Sequence, residues 1–138
     1  MEPKLTEKNI KKYFEETSGF SKYNNYHLEK LTKEETILTA VVDENATNPS
    51  GIAHGGFIFG LADTAMGVMA YLSGKKVVTI DTDIHYLKPC TGPNVKCVAT
   101  PVKVGKTIGV YEAKVYNGNE LAATLSGSYF FLDREIKK

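Results

Sequence analysis

Hydrophobic positions change their period several times along this chain, and each change marks an element. Ile10, Tyr13, Phe14 and Thr17 recur at three- and four-residue steps with Lys and Glu between them, the pattern of a surface helix with one buried stripe. Thr6 is placed to cap its start and Gly19 to end it. Residues 26–31 and 36–42 alternate and carry enough β-branched side chains to be strands, with Lys33, Glu34 and Glu35 as the polar turn between them. Residues 43–53 hold Asn45, Asn48, Pro49, Ser50 and Gly51, all of which discourage regular structure.

The stretch 55–74 is different: twenty residues with a single charge, Asp63. Four further alternating runs come after it, at 77–87, 95–104, 108–116 and 121–132. Pro89 ends the first, and Pro101 in the second marks a bulge or an edge. Gly105-Lys106-Thr107 turns the chain into the third, and Asn117-Gly118 is a hairpin signal before the fourth. The charged tail, 133–138, is predicted to fray. Short reversals between strands imply an antiparallel sheet. The central helix is apolar nearly all round, so a sheet on one side cannot hide it: the sheet curls round it, or a second subunit covers the rest.

Composition narrows the function. Apolar residues make up 42% and charged residues 24% of 138, which is globular composition and fits one domain over 1–138. Seventeen basic against sixteen acidic residues leave a net charge of +1, without the basic excess a nucleic-acid reader needs. Two cysteines are too few for a disulfide framework or a cysteine zinc site, and the three histidines lack metal-ligand spacing. No metal is expected. The twenty-residue apolar run is long enough to span a bilayer. An Asp near its centre costs about 2.5 to 3.5 kcal/mol on insertion, however, and no basic cluster flanks it, so it reads as a buried helix. No secretory signal follows Met1, and a soluble, cytoplasmic protein is expected.

Asp63 stands among Leu61, Ala62, Ala65 and Met66 with no Lys or Arg within reach along the helix. An unpaired buried carboxylate costs several kcal/mol, roughly, unless partners offset it. Either Asp63, Thr64 and Tyr71 form a narrow stripe facing water, or the carboxylate sits at a cleft as general base or nucleophile. Upstream, Asn48, His54, Gly55 and Gly56 come together at the helix start. Free amides there suit an oxyanion hole; alternatively, the glycines serve only the turn. His54 is placed to orient the loop or the substrate. Eight residue steps separate Gly55 from Asp63, roughly 12 Å of rise at about 1.5 Å per residue, so one helix cannot bring both to the same carbonyl. Two antiparallel copies can.

Other features are weaker. Asp81 and Asp83 fall on one strand face with Thr79 and His85 and read as a solvated face. Lys106 in its turn is a point charge able to meet phosphate, although such lysines usually meet only water. Cys90 and Cys97 have no histidine partner in the sequence. Phe57, Phe59, Met66, Met69 and Tyr71 suit either an acyl pocket or the core.

The motif set Asn48, Gly51, His54-Gly55-Gly56 and Leu61-Ala62-Asp63, followed by Thr79-Ile80-Asp81, Tyr86-Leu87-Lys88-Pro89 and Gly105-Lys106-Thr107, resembles the hotdog-fold acyl-CoA thioesterases of the phenylacetate-degradation (PaaI-like) branch. That resemblance implies an α+β fold, a long central helix wrapped by a curved antiparallel sheet of five or six strands, with an N-terminal surface helix. It implies homodimers with a continuous sheet, or dimers of dimers, and hydrolysis of an acyl- or aryl-acyl-CoA without a cofactor. Asp63 would activate water or attack the carbonyl, and the Gly55 amide of the other subunit would polarise it. Asn48 and His54 would position thioester or water, and Thr79 would hold the water. Gly56, Pro89 and Lys106 would bind substrate, with Lys106 standing where the family often has arginine. A hotdog hydratase or dehydratase is the first rival reading. It is disfavoured because His54 follows Pro49 by five residues and the helix acid is Asp rather than Glu. A non-catalytic acyl-CoA-binding protein is the second, and the presence of Asp63 argues against it.

Overall fold

A computed structural model describes residues 6–136. The chain opens with α1 (Glu7–Thr17), whose first turn is capped by Thr6 accepting from the Asn9 amide at 3.1 Å. Ile10 and Phe14 are its buried stripe. Gly19 does not end this helix. Ser18 is the cap, and Gly19 opens a short second helix, α2 (Gly19–Tyr23). β1 (His27–Leu31) and β2 (Thr36–Val41) form a hairpin, and a loop with one 3₁₀ turn, Glu44–Ala46, leads to α3 (Gly55–Ala70). A second 3₁₀ turn, Tyr71–Ser73, closes with Gly74 at φ +81°, a left-handed conformation that favours glycine. Then come β3 (Lys75–Tyr86), β4 (Asn94–Val104), β5 (Ile108–Asn117) and β6 (Glu120–Glu135).

The six strands make one sheet in the order β1-β2-β4-β5-β6-β3, every neighbouring pair antiparallel. The expected bulge at Pro101 is present: the β4–β5 register shifts between Pro101 and Lys103. Pro101 also lies past the last β4 residue that β2 reaches, Ala99, so its missing N–H costs no ladder bond. The tail holds more structure than its charge predicts. β6 runs on to Glu135, which pairs with Lys75, and buried Ile136 donates its amide to Gly74. One apolar side chain and a backbone partner are enough to hold it; residues 137 and 138 lie outside the described residues.

The sheet curls round α3, and Leu61, Ala62, Ala65 and Met66 of the helix are fully buried against Leu38, Val95, Cys97, Val115 and Ala123 of the sheet. Phe57, Met66 and Met69 are therefore core residues. Asp63, Thr64 and Gly67 lie on the less covered side. β3 is the contrast: it forms one sheet edge, and Val78, Ile80 and Tyr86 are about half exposed.

Candidate active site

Asp63 projects from the third turn of α3 into a small cleft of about 180 Å³, with walls from Phe14, Phe20, Tyr71, Val77 and Thr79. Its partners come from two strands. Thr79 Oγ1 on β3 donates to Oδ1 at 3.0 Å, and the Tyr129 hydroxyl on β6 donates to the same oxygen at 2.8 Å. Oδ2 has no partner among the described residues. Asp63, Thr64 and Tyr71 are half-buried and share this cleft, and within it one carboxylate oxygen of Asp63 is fixed by two donors while the other is left to the cleft. Burial, and after it the adjacent Asp63 carboxylate, pushes the Tyr129 phenol well above its usual value, so that hydroxyl stays protonated and donates. Tyr71 is raised by burial first, then by Tyr13 and Asp63.

A register shift in β3 explains why Thr79 reaches Asp63. Thr79 pairs with Tyr129 and Asp81 with Ser128, which leaves Ile80 as an extra residue between them. A bulge of this kind reverses the facing of the residues beyond it. Thr79 points with Tyr129 towards α3, whereas Asp81, Asp83 and His85 point outwards with Ser128, Ser126 and Thr124. The single face expected for all four is therefore split: Asp81, Asp83 and His85 lie on the exposed outer face, whereas Thr79, exposed at the sheet edge, turns to Asp63. Ser128 donates to Asp81 there.

At the helix start, His54 is the N-cap, its Nδ1 accepting from the Gly56 amide at 2.8 Å. Its ring proton is accordingly on Nε2. The His54 carbonyl takes the Phe57 amide at 3.0 Å. The Gly55 amide makes no hydrogen bond among the described residues, so Gly55, not Gly56, offers the free donor. Tyr86, at the end of β3, donates to the Gly55 carbonyl at 2.7 Å. A Cβ on Gly55 would stand 3.1 Å from that hydroxyl, a tight contact that the Tyr86 side chain would have to yield to. Asn48 closes the loop with Oδ1, which accepts from Ser50 at 2.9 Å. Its Nδ2 has no partner among the described residues.

Gly55, Asn48, Tyr86 and Pro89 line a second, larger cleft of about 350 Å³ with Ile58 and Cys90. The two clefts share no lining residue. The structure brings together Asp63 and Thr79 in one and Asn48, Gly55 and Pro89 in the other, and it leaves Lys106 outside both, exposed in the β4–β5 turn. Cys90 lies at the second cleft, where burial pushes its thiol up. Cys97 is fully buried and raised for the same reason. Sequence reasoning missed Tyr129, and it named Tyr86 only within its motif, without the contact to Gly55.

A six-stranded antiparallel sheet curled round one long helix, with a carboxylate on that helix and a free amide at its start, defines a hotdog fold of thioesterase type. A family model for the thioesterase superfamily matches residues 50–123, and the chain belongs to that family. The E. coli PaaI protein of the phenylacetic acid degradation operon matches with TM-score 0.89 over 95% of this chain and 96% of that one, at 22% identity. The Streptococcus mutans protein smu.793, solved bound to acetyl CoA, matches with TM-score 0.77 and 27% identity over 83% of this chain and 94% of its own. A curated relative from Deinococcus radiodurans, called "Putative esterase", is 36% identical over 86 residues, 62% of this chain and 58% of its own. The chain spans less than two thirds of the length of the first curated relatives it matches.

Proposed function

We propose that the protein hydrolyses an acyl-CoA thioester to the free acid and CoA at sites built from two copies of the chain. The observation that carries this reading is Asp63: a carboxylate on an apolar helix, one oxygen held by Thr79 and Tyr129, the other open to a cleft. Oδ2 takes a proton from water while the water oxygen bonds to the carbonyl carbon. The resulting oxyanion collapses, the C–S bond breaks with its electron pair going to sulfur, and the proton passes to the thiolate. Direct attack by Oδ2 breaks the C–S bond, releases the CoA thiolate and gives a mixed anhydride that water then cleaves to the free acid and the regenerated carboxylate. The oxyanion is met by the Gly55 amide, with the Asn48 Nδ2 group as a neighbouring donor, and pre-aimed donors of this kind need no reorganisation during the reaction.

Two copies are needed because the amide and the acid of one protomer occupy separate clefts. β3 supplies the means. Its free edge carries Thr79 beside Asp63 and, further along, Tyr86 beside Gly55. Antiparallel pairing of this edge with its own copy sets the Thr79 part of one strand towards the Tyr86 part of the other. It also covers Val78 and Ile80, the exposed apolar side chains that an unpaired edge makes a liability. Acetyl CoA bound to the S. mutans relative supports a CoA thioester as the ligand class.

Thiol release from aryl, short-chain and long-chain acyl-CoA esters tests the reading. Turnover is expected for at least one class, and Asp63→Ala lowers it by about a thousandfold or more. An unchanged rate in that variant dismisses the assignment. Hydration of enoyl thioesters would point to a hydratase, and tight binding without turnover to a binding protein.

A further inference from the structure

Glycine and tyrosine form a two-by-two checkerboard across β5 and β6. Gly109 pairs with Tyr129 and Tyr111 with Gly127, and all four are buried on the face towards α3. Each glycine leaves the space that a ring fills. A Cβ on Gly127 would stand 2.9 Å from Tyr129 Cε2 and 3.1 Å from its hydroxyl, and a Cβ on Gly109 would stand 2.7 Å from the Tyr111 hydroxyl. The two rings meet edge to face with centroids 5.7 Å apart, a favoured aromatic geometry. Gly67 of α3 lies on the other side, where its own Cβ would be 3.8 Å from Tyr129 Cε1. The Tyr129 ring is thus confined by β6, by Tyr111 and by the helix, and its hydroxyl is aimed at Asp63. It lies 2.8 Å from Oδ1 and 3.3 Å from the Asp63 carbonyl.

We propose that Tyr129 is a positioning residue for Asp63, locking the carboxylate so that Oδ2 faces the cleft. The inference rests on the reading of Asp63 as the reacting acid. The terminal torsion of an aspartate is broad and two-fold, so its oxygens exchange freely unless something distinguishes them. Thr79 alone is a weak lock, because it sits exposed on the sheet edge. Tyr129, 1% exposed and seated on glycine, is a rigid one. The groups facing Asp63 are Thr79 from β3, Tyr129 from β6 and Tyr71 after α3, with Tyr13 of α1 edge-on behind Tyr71. No ion pair reaches Asp63 among the described residues. Thr82 Oγ1 is buried beside the Tyr129 hydroxyl without a hydrogen bond of normal geometry.

Tyr129→Phe keeps the ring and removes only the hydroxyl. Its kcat is expected to fall by about ten- to a hundredfold, the scale of a hydrogen bond to a charged group, while KM moves by less than about twofold. Gly127→Ala retains the hydroxyl but displaces the ring, and it reproduces the loss in kcat. Tyr111→Phe, the equivalent change in the other seat, leaves kcat and KM unchanged. The carbon-13 chemical shift of the Asp63 carboxyl, compared at one fixed pH, reads the contact without turnover, and it moves in Tyr129→Phe. Wild-type turnover together with an unmoved carboxyl signal and unmoved kcat in Tyr129→Phe overturns the positioning role alone. No turnover by the wild type on any thioester overturns the hydrolase reading instead.

Discussion

The start and the middle of α3 solve the problem of presenting a polar group from an apolar helix in opposite ways. At the start the group is a backbone amide, and everything that aims it is local: His54 caps the next residue, Asn48 closes the loop, and only Tyr86 comes from afar. In the middle the group is a side chain, and both of its partners are distant, 16 and 66 residues along the chain. The amide is insensitive to side-chain identity except where a Cβ would collide. The carboxylate depends on chemistry at three positions in three elements. Damage to the middle should therefore be chemical and specific, and damage to the start should be steric or a matter of stability.

The largest effect is expected in the middle. Asp63→Asn keeps the shape and most hydrogen bonding but removes the proposed base, and turnover should drop by about a thousandfold or more, measured as thiol release with folding checked by circular dichroism. A surviving rate would erase the contrast between the two regions. Next is the start: Gly55→Ala pushes against the Tyr86 hydroxyl and displaces the amide, and turnover should fall by about ten- to a hundredfold. Adding Tyr86→Phe opens that space and restores part of the rate, which marks the defect as steric. Smaller still, His54→Ala deletes a cap worth about 1 kcal/mol and lowers Tm by a few degrees, with a lesser effect on kcat than Gly55→Ala.

The core beneath both regions gives the smallest effect. Burial raises the Tyr111 phenol from 10.0 to about 12 and pushes Tyr129 and the Cys97 thiol up as well. Below about pH 8 these groups are protonated in folded and unfolded chains alike and contribute no slope. Above the unfolded thiol and phenol values the unfolded chain loses protons that the folded chain keeps, so stability falls as pH rises. Tm measured from pH 8 to 11 should decline, and Cys97→Ala should flatten the earliest part of that decline.

The same contrast decides what the sequence makes legible. The loop, the capped helix and the odd charge among Leu61, Ala62, Ala65 and Met66 are local patterns and read directly, as do the strands and the Asn117-Gly118 turn. The extra residue at Ile80 is not local: alternation in β3 looks unbroken, and only pairing with β6 shows that Thr79 and Asp81 face opposite ways. Tyr129 is a contact across 66 residues, which no periodicity carries. A signal did exist, in that Gly109-Val110-Tyr111 and Gly127-Ser128-Tyr129 repeat one spacing and mark rings lying over glycine. α2 is hidden when Gly19 is read as a stop, although its φ is not left-handed and it is free to begin a turn.

The separation of the two clefts on one protomer has a consequence for mixtures. If each working centre has two owners, a chain spoiled at Asp63 and a chain spoiled at Gly55 are both impaired by themselves, yet a heterodimer of them keeps one centre whole. Random pairing of equal amounts would then recover about a quarter of the native rate, so that two defective alleles rescue each other inside one cell.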